Sequence, residues 1–177
     1  MIHFSTHSGI HTLLVRQKLP VSLEEAWEFF ATPGNLAKIT PQHMGFAITS
    51  APEQNKMFPG QIITYKVYPF KGISTNWVTE ITHVIDRIYF VDEQRFGPYA
   101  MWHHEHRFRK VDEGVEMTDR VTYKLPLGFL GRIMEKNLVR KQLRTIFEYR
   151  YRILAEFFGP EKSENGRKQG EAVRGAQ

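Results

Sequence analysis

The middle of the chain contains six strand-like segments in succession, joined by short turns with no helical pattern between them. The separators are rich in Gly, Pro, Asp and Glu, which favour tight turns. A parallel pair of strands needs a crossover of a dozen or more residues, so these short connections allow antiparallel pairing only. The sequence therefore predicts an antiparallel meander made of segments 46–50, 61–68, 73–84, 87–96, 102–111 and 115–125.

Helical patterns flank this meander on both sides. A first strand is predicted at 12–19, and Ser22 with Glu25 then has the spacing of a capping box, which predicts a short helix. A second short helix is predicted at 36–39. The run 129–158 predicts one long C-terminal helix, because its apolar residues recur on one face and Gly-Pro follows it.

This order of elements predicts one α+β domain over 1–158, with a curved antiparallel sheet of about seven strands wrapped around the long helix. The polar stretch 159–177 has almost no apolar residues and is predicted to be a disordered tail.

Composition excludes several classes of function. The chain has no cysteine, which excludes disulfides, thiolate nucleophiles and zinc-thiolate sites. The N-terminal residues are polar and carry histidines, unlike a signal peptide, and no apolar run approaches the roughly 20 residues that span a bilayer. We therefore expect a cytoplasmic protein without stable membrane insertion.

The net charge of +5 is concentrated on the predicted C-terminal helix. A solvated basic face is the simplest explanation, and no nucleic-acid partner is expected. A face that binds an anion or a partner is the alternative. The residues concerned are Arg132, Lys136, Arg140, Lys141, Arg144, Arg150 and Arg152.

Alternation along the strands predicts which side chains face the interior. In 102–108 the inward set is Trp102, His104, His106 and Phe108. In the next strand the apolar alternation places Asp119 and Tyr123 inward, and in the strands before it Trp77, Phe90, Asp92 and Gln94.

The pairing of the last two strands can be predicted from the turn between them. If Glu113 and Gly114 form a two-residue hairpin turn, Phe108 lies opposite Asp119, and His106 becomes a diagonal neighbour of Asp119.

Buried carboxylate and imidazole groups allow several interpretations. They could satisfy one another's hydrogen bonds, orient a ligand, or catalyse proton transfer with His106 as the base and Asp119 as its orienting partner. The pair His104 and His106 could also ligate a metal, but the glutamate that follows such pairs in cupins is missing, so no metal and no other cofactor is predicted.

Four segments carry a family resemblance: LPVSLEEAWEFFATPGNLAKITP, GPYAMWHHEHRF, TDRVTYKLPLG and FLGRIMEKNLVRKQLRTIFEYR. They resemble the SRPBCC or START-like superfamily, specifically its bacterial ligand-binding group akin to polyketide cyclase/dehydrase-type and lipid-transport proteins. The resemblance implies a helix-grip fold with a cavity between sheet and long helix.

Relatives of this kind hold lipids, polyketides or other hydrophobic molecules, and some catalyse cyclisation or dehydration. The expected function is binding of a hydrophobic small molecule, with a cyclase, dehydratase or isomerase as the alternative. The ligand-binding residues predicted are Trp77, Phe90, Asp92, Gln94, Trp102, His104, His106, Phe108, Asp119, Tyr123, Met134 and Leu138.

Overall fold

The computed structural model describes residues 2–50, 56–70 and 73–160. Within those ranges the chain forms eight strands and three α-helices. The strands are β1 (Ile2–His7), β2 (Ile10–Leu19), β3 (Ala47–Ile48), β4 (Gln61–Phe70), β5 (Ile73–Ile85), β6 (Tyr89–Phe96), β7 (Met101–Val111) and β8 (Gly114–Lys124). The helices are α1 (Leu23–Phe30), α2 (Gly128–Met134) and α3 (Arg140–Phe158), with short 3₁₀ turns at Pro33–Ile39 and Gln42–Met44.

The strands form one antiparallel sheet in the order β1-β2-β8-β7-β6-β5-β4-β3. Neighbours in this order are also neighbours in sequence, except where β2 pairs with β8. That pairing places the hairpin of β1 and β2 beside β8, the last strand of the meander, and α3 packs against β2. The predicted α+β helix-grip fold is confirmed.

The N-terminal strand β1 is absent from the sequence-based prediction, which starts the sheet at residue 12. Ser8 and Gly9 have φ angles of 50° and 76°, as a type I′ hairpin turn requires, and β1 pairs with β2 from Ile2 to His7. The signal was present as alternating Ile2 and Phe4 before a Ser-Gly turn. It was masked because the rest of the segment, His3, Ser5, Thr6 and His7, is polar.

Helix α1 begins where its capping box predicts. The backbone nitrogen of Glu25 donates to Oγ of Ser22, and the backbone nitrogen of Ser22 donates to the Glu25 carboxylate at 2.9 Å. The apolar face of α1 then covers one end of the sheet, where the Trp27 ring packs edge-on against Phe90 and Phe108.

The predicted continuous C-terminal helix is interrupted by a π-helical turn at Glu135–Val139, between α2 and α3. The wider turn directs Glu135 inward, where the Tyr123 hydroxyl donates to its carboxylate at 2.9 Å and Arg140 Nε donates at 3.0 Å. Inserted turns of this kind are stabilised by contacts that helical periodicity does not encode. This explains why the sequence pattern alone predicts one uninterrupted helix.

The predicted register of β7 and β8 is wrong by two residues. The turn consists of Asp112 and Glu113, so Gly114 begins β8 opposite Val111, and His106 lies directly opposite Asp119. A Cβ atom on Gly114 would come within 2.1 Å of the Leu19 carbonyl oxygen. Gly114 is therefore needed for close approach to the end of β2, and its φ angle of 135° directly after the turn also favours glycine.

Among the helices of the described residues, none is long and apolar enough to span a membrane. The predicted tail lies almost entirely outside the described residues, since the description ends at Pro160.

Candidate functional site

A cavity of about 280 Å³ lies between the sheet and helix α3. One wall is aromatic: Trp77 contacts both Tyr99 and Trp102 with ring centroids 5.6 and 5.2 Å apart. The helix contributes Leu143, Ile146 and Phe147 to the opposite wall. Most of the lining is therefore apolar, as expected of a site for a hydrophobic molecule.

The cavity reaches the surface beside α2. Leu127 and Met134 both line it, and their side chains are 70% and 41% exposed. Leu130 and Ile133 are also exposed on the same helix. An opening rimmed by apolar side chains is suited to the entry of a molecule that is itself apolar.

The predicted ligand-binding residues fall into two groups. Those that line the cavity are Trp77, Phe90, Asp92, Trp102, His104, His106 and Met134. Those placed elsewhere among the described residues are Gln94, Phe108, Asp119, Tyr123 and Leu138.

Each residue of the second group has a different environment. Phe108 packs under α1, and Tyr123 binds Glu135. Leu138 lies on the π-helical turn and is 41% exposed. The Gln94 amide donates to the Tyr99 carbonyl and accepts from the Tyr99 backbone nitrogen, so it fastens the loop between β6 and β7.

Asp119 lies behind the cavity wall and is 3% exposed. Its Oδ1 atom is 3.0 Å from Nε2 of His104 and 2.8 Å from Nδ1 of His106. The second contact is short but off the axis of the N–H bond, so it is ionic rather than a well-directed hydrogen bond. Asp119 thus holds both imidazoles from behind.

Asp92 contacts the same two imidazoles from the other side. Its Oδ2 atom is 2.9 Å from Nε2 of His106 and 3.4 Å from Nδ1 of His104. The two imidazole rings lie 3.7 Å apart between their centroids, and Phe90 stacks on His106 at 4.2 Å. Two carboxylates and two imidazoles therefore form a closed ring of contacts, which we call the Asp-His cluster (Asp92, His104, His106 and Asp119).

Burial and neighbouring charges shift the pKa values of the two histidines in opposite directions. For His104, burial together with the charge of His106 lowers the pKa, so its uncharged form is favoured. For His106, burial disfavours the protonated imidazole, but the contacts with Asp119 and Asp92 outweigh the effect of burial and raise the pKa. For Asp119, burial acts against ionisation, but both imidazoles hold the carboxyl pKa well below its usual range.

Arg150 is a residue of the site that the sequence analysis assigned to the solvated helix face. It lies on α3, is 7% exposed and lines the cavity. The signal was available, because Arg150 lies seven residues after Leu143 and three after Phe147, which places it on the buried stripe of the helix. A charged side chain at that spacing can face inward with its apolar neighbours, which is the alternative to a place on the solvated face.

The cluster also has a shape that could hold a metal ion. Asp92, His104 and His106 each offer one ligand atom, and these atoms lie within 4.8 Å of one another. The positive charge of Arg150 acts on the carboxylates of the same cluster and would oppose a second cation there. The absence of a metal stays a prediction.

Three comparisons with known proteins bear on the fold. No protein-family model matches the chain, and no curated protein sequence matches it. Solved structures do match. A protein from Mycobacterium smegmatis, Ms6760, is 14% identical with a TM-score of 0.62, covering 89% of this chain and 98% of its own. Ginseng major latex-like protein 151 from Panax ginseng is 13% identical with a TM-score of 0.62, covering 86% and 100%.

A third similar structure is that of Ara h 8.0201, which is 14% identical with a TM-score of 0.55 and covers 84% of this chain and 99% of its own. At these identities the likeness is one of fold. The shared architecture is the sheet and long helix that form the cavity.

Proposed function

We propose that this protein is a ligand-binding member of the SRPBCC or START-like superfamily that holds a hydrophobic small molecule in the cavity between its sheet and α3. The observation that carries the proposal is the cavity itself, with its aromatic wall of Trp77, Tyr99 and Trp102 and its opening beside α2. Burial of apolar ligand surface against such a wall supplies the binding free energy.

Native mass spectrometry of the gently purified protein tests this proposal, followed by extraction and identification of bound molecules. We expect a stoichiometric apolar molecule, or binding of the uncharged fluorescent probe Nile red if the protein is empty. Ile146→Trp should fill the cavity and weaken binding of the probe at least tenfold. Ile153→Trp is the matched control, because Ile153 lies on the same helix and packs in the core beyond the cavity lining. Equal binding by both variants would contradict the proposal.

A second candidate function is proton transfer on the bound molecule, as in an isomerase, dehydratase or cyclase. It is favoured by the two cavity-lining imidazoles, whose pKa values are shifted in opposite directions. The sequence analysis expected His106 to be the base. With its raised pKa, His106 is better suited to donate a proton, and the uncharged His104 to accept one.

Deuterium exchange tests this second function. After the bound molecule is identified, incubation with the protein in D₂O should transfer deuterium to carbon if the site exchanges protons with it. His104→Gln should abolish the exchange and leave binding within about threefold of the wild type. Exchange at the wild-type rate in His104→Gln would exclude His104 as the base.

A further inference from the structure

Arg150 presents a buried positive charge to the cavity. Arg150 is only 7% exposed. Its Nε atom has no hydrogen-bond partner among the residues that the structure describes. A guanidinium carries five N–H donors and no acceptor, so an unpaired donor in a buried place is unfavourable. Because Arg150 lines the cavity, a ligand acceptor there would pair with its guanidinium and offset part of that penalty.

The nearby carboxylates do not supply this acceptor. Asp92 and Asp119 act electrostatically on Arg150, but their described hydrogen bonds go to His106 and His104 at 2.9 and 3.0 Å. Among the described residues, the two carboxylates of the Asp-His cluster therefore bond to imidazoles and not to the guanidinium of Arg150. This difference separates the role of Arg150 from that of the cluster.

The position of Arg150 also makes one end of the cavity different in chemistry from the other. Its guanidinium carbon lies 4.8 Å from the centre of the Phe147 ring, which also lines the cavity. Met134, at the opening, precedes Arg150 by sixteen residues, which corresponds to about 24 Å of helix. The cavity therefore has a polar end at Arg150 and an apolar end at the opening.

We propose that the ligand is an amphipathic acid, whose carboxylate binds Arg150 beside the Asp-His cluster and whose apolar part extends along the aromatic wall toward α2. This inference rests on the proposed binding function and specifies the chemical class of the ligand. A planar carboxylate matches the paired N–H groups of a guanidinium, and the charge-assisted bonds are the strong ones.

Two probes that differ only in the head group test the inference: decanoate and decanol, with binding followed by calorimetry at neutral pH. The wild-type protein should bind decanoate roughly tenfold more tightly than decanol, as expected for a hydrogen bond to a charged group. Arg150→Met should remove this preference and keep decanol binding near the wild-type level. Arg144→Met is the matched control, because Arg144 is an exposed cation of the same helix.

The outcomes separate this inference from the proposed function. If neither probe binds the wild-type protein and no apolar molecule co-purifies with it, both proposals fail. If both probes bind equally, the cavity binds apolar molecules but the acid assignment is wrong. Should Arg150→Met fail to fold, methyl decanoate replaces the variant, and binding of the ester as tightly as decanoate by the wild-type protein would overturn the inference.

Discussion

Two neighbouring layers on strands β6, β7 and β8 have opposite chemistry. The apolar layer consists of Phe108 and Met117, which lie opposite each other on β7 and β8, and the Asp-His cluster begins in the next row, where His106 lies opposite Phe90 on β6 and Asp119 on β8. Helix α1 closes the apolar layer through the aromatic ring of Trp27. Asp92, His104 and His106 of the cluster instead line the cavity, and Asp119 lies behind them.

The comparison shows that the element covering a layer, rather than the strands that build it, determines whether apolar or charged side chains occupy it. Where a helix packs directly on the strands, apolar side chains fill the space at the density of a normal core. Where a cavity intervenes, charged groups are retained although a buried charge pair adds little to stability over an apolar replacement. Under the proposed function, contact with a ligand accounts for a cluster that adds little to the stability of the fold.

The largest expected effect comes from removal of one charge of the cluster. Asp119→Ala should lower the free energy of unfolding by about 3–5 kcal/mol, because both imidazoles lose the carboxylate that holds them from behind. Urea denaturation measures this change.

The matched comparison is Phe108→Ala in the apolar layer, for which a loss of about 3–5 kcal/mol is expected from the cavity it leaves. The two losses differ in how they can be reversed. Apolar replacement of all four residues of the cluster should restore most of the stability lost in Asp119→Ala, since no charge is then left unpaired. If this combined variant were as unstable as Asp119→Ala, the cluster would be part of the stabilising core, as the apolar layer is.

A smaller effect is expected from pH, with opposite signs at the two histidines. The raised pKa of His106 contributes stability that is present below the unfolded value of 6.5 and is lost as pH rises through the folded pKa. The lowered pKa of His104 contributes stability that is present above 6.5 and is lost as pH falls toward its folded pKa. Stability should therefore decline on the alkaline side through His106.

Urea denaturation at several pH values between 6 and 9 measures this decline. His106→Gln should flatten it, and His103→Gln on the outward face of the same strand is the matched control. A decline that is unchanged in His106→Gln would mean that another group produces it. Asp92 and Asp119 act on the acidic side instead, because their lowered pKa values contribute stability that is lost as pH falls below their unfolded range.

Alternation along the strands is enough to predict which side chains of these two layers face the interior. Phe108 and His106 share a face in the sequence pattern, and the structure buries both. The register between β7 and β8 could not be predicted, because it depends on the approach of Gly114 to Leu19, nearly a hundred residues earlier. Local turn preferences contain no information about such a contact.

The cation of the site was missed for a related reason. Charge alone assigns Arg150 to solvent, whereas its helical position assigns it to the buried stripe, and only the presence of a cavity decides between the two. The π-helical turn that directs Glu135 inward likewise depends on the distant Tyr123 hydroxyl.

The smallest effect concerns the helix that closes the apolar layer. Ser22→Ala removes the hydroxyl that caps α1 and should lower the free energy of unfolding by about 1 kcal/mol. Because α1 packs mainly over the apolar layer, while the polar end of the cavity is built by β6, β7 and α3, affinity for a cavity ligand should stay within about twofold of the wild type. Measuring urea denaturation and probe binding on the same sample checks both statements.

A large loss of affinity would mean that α1 also controls the cavity, through Phe29 and Phe30, which line it. The division of the sheet into a closed apolar layer and an open polar one would then have to be abandoned.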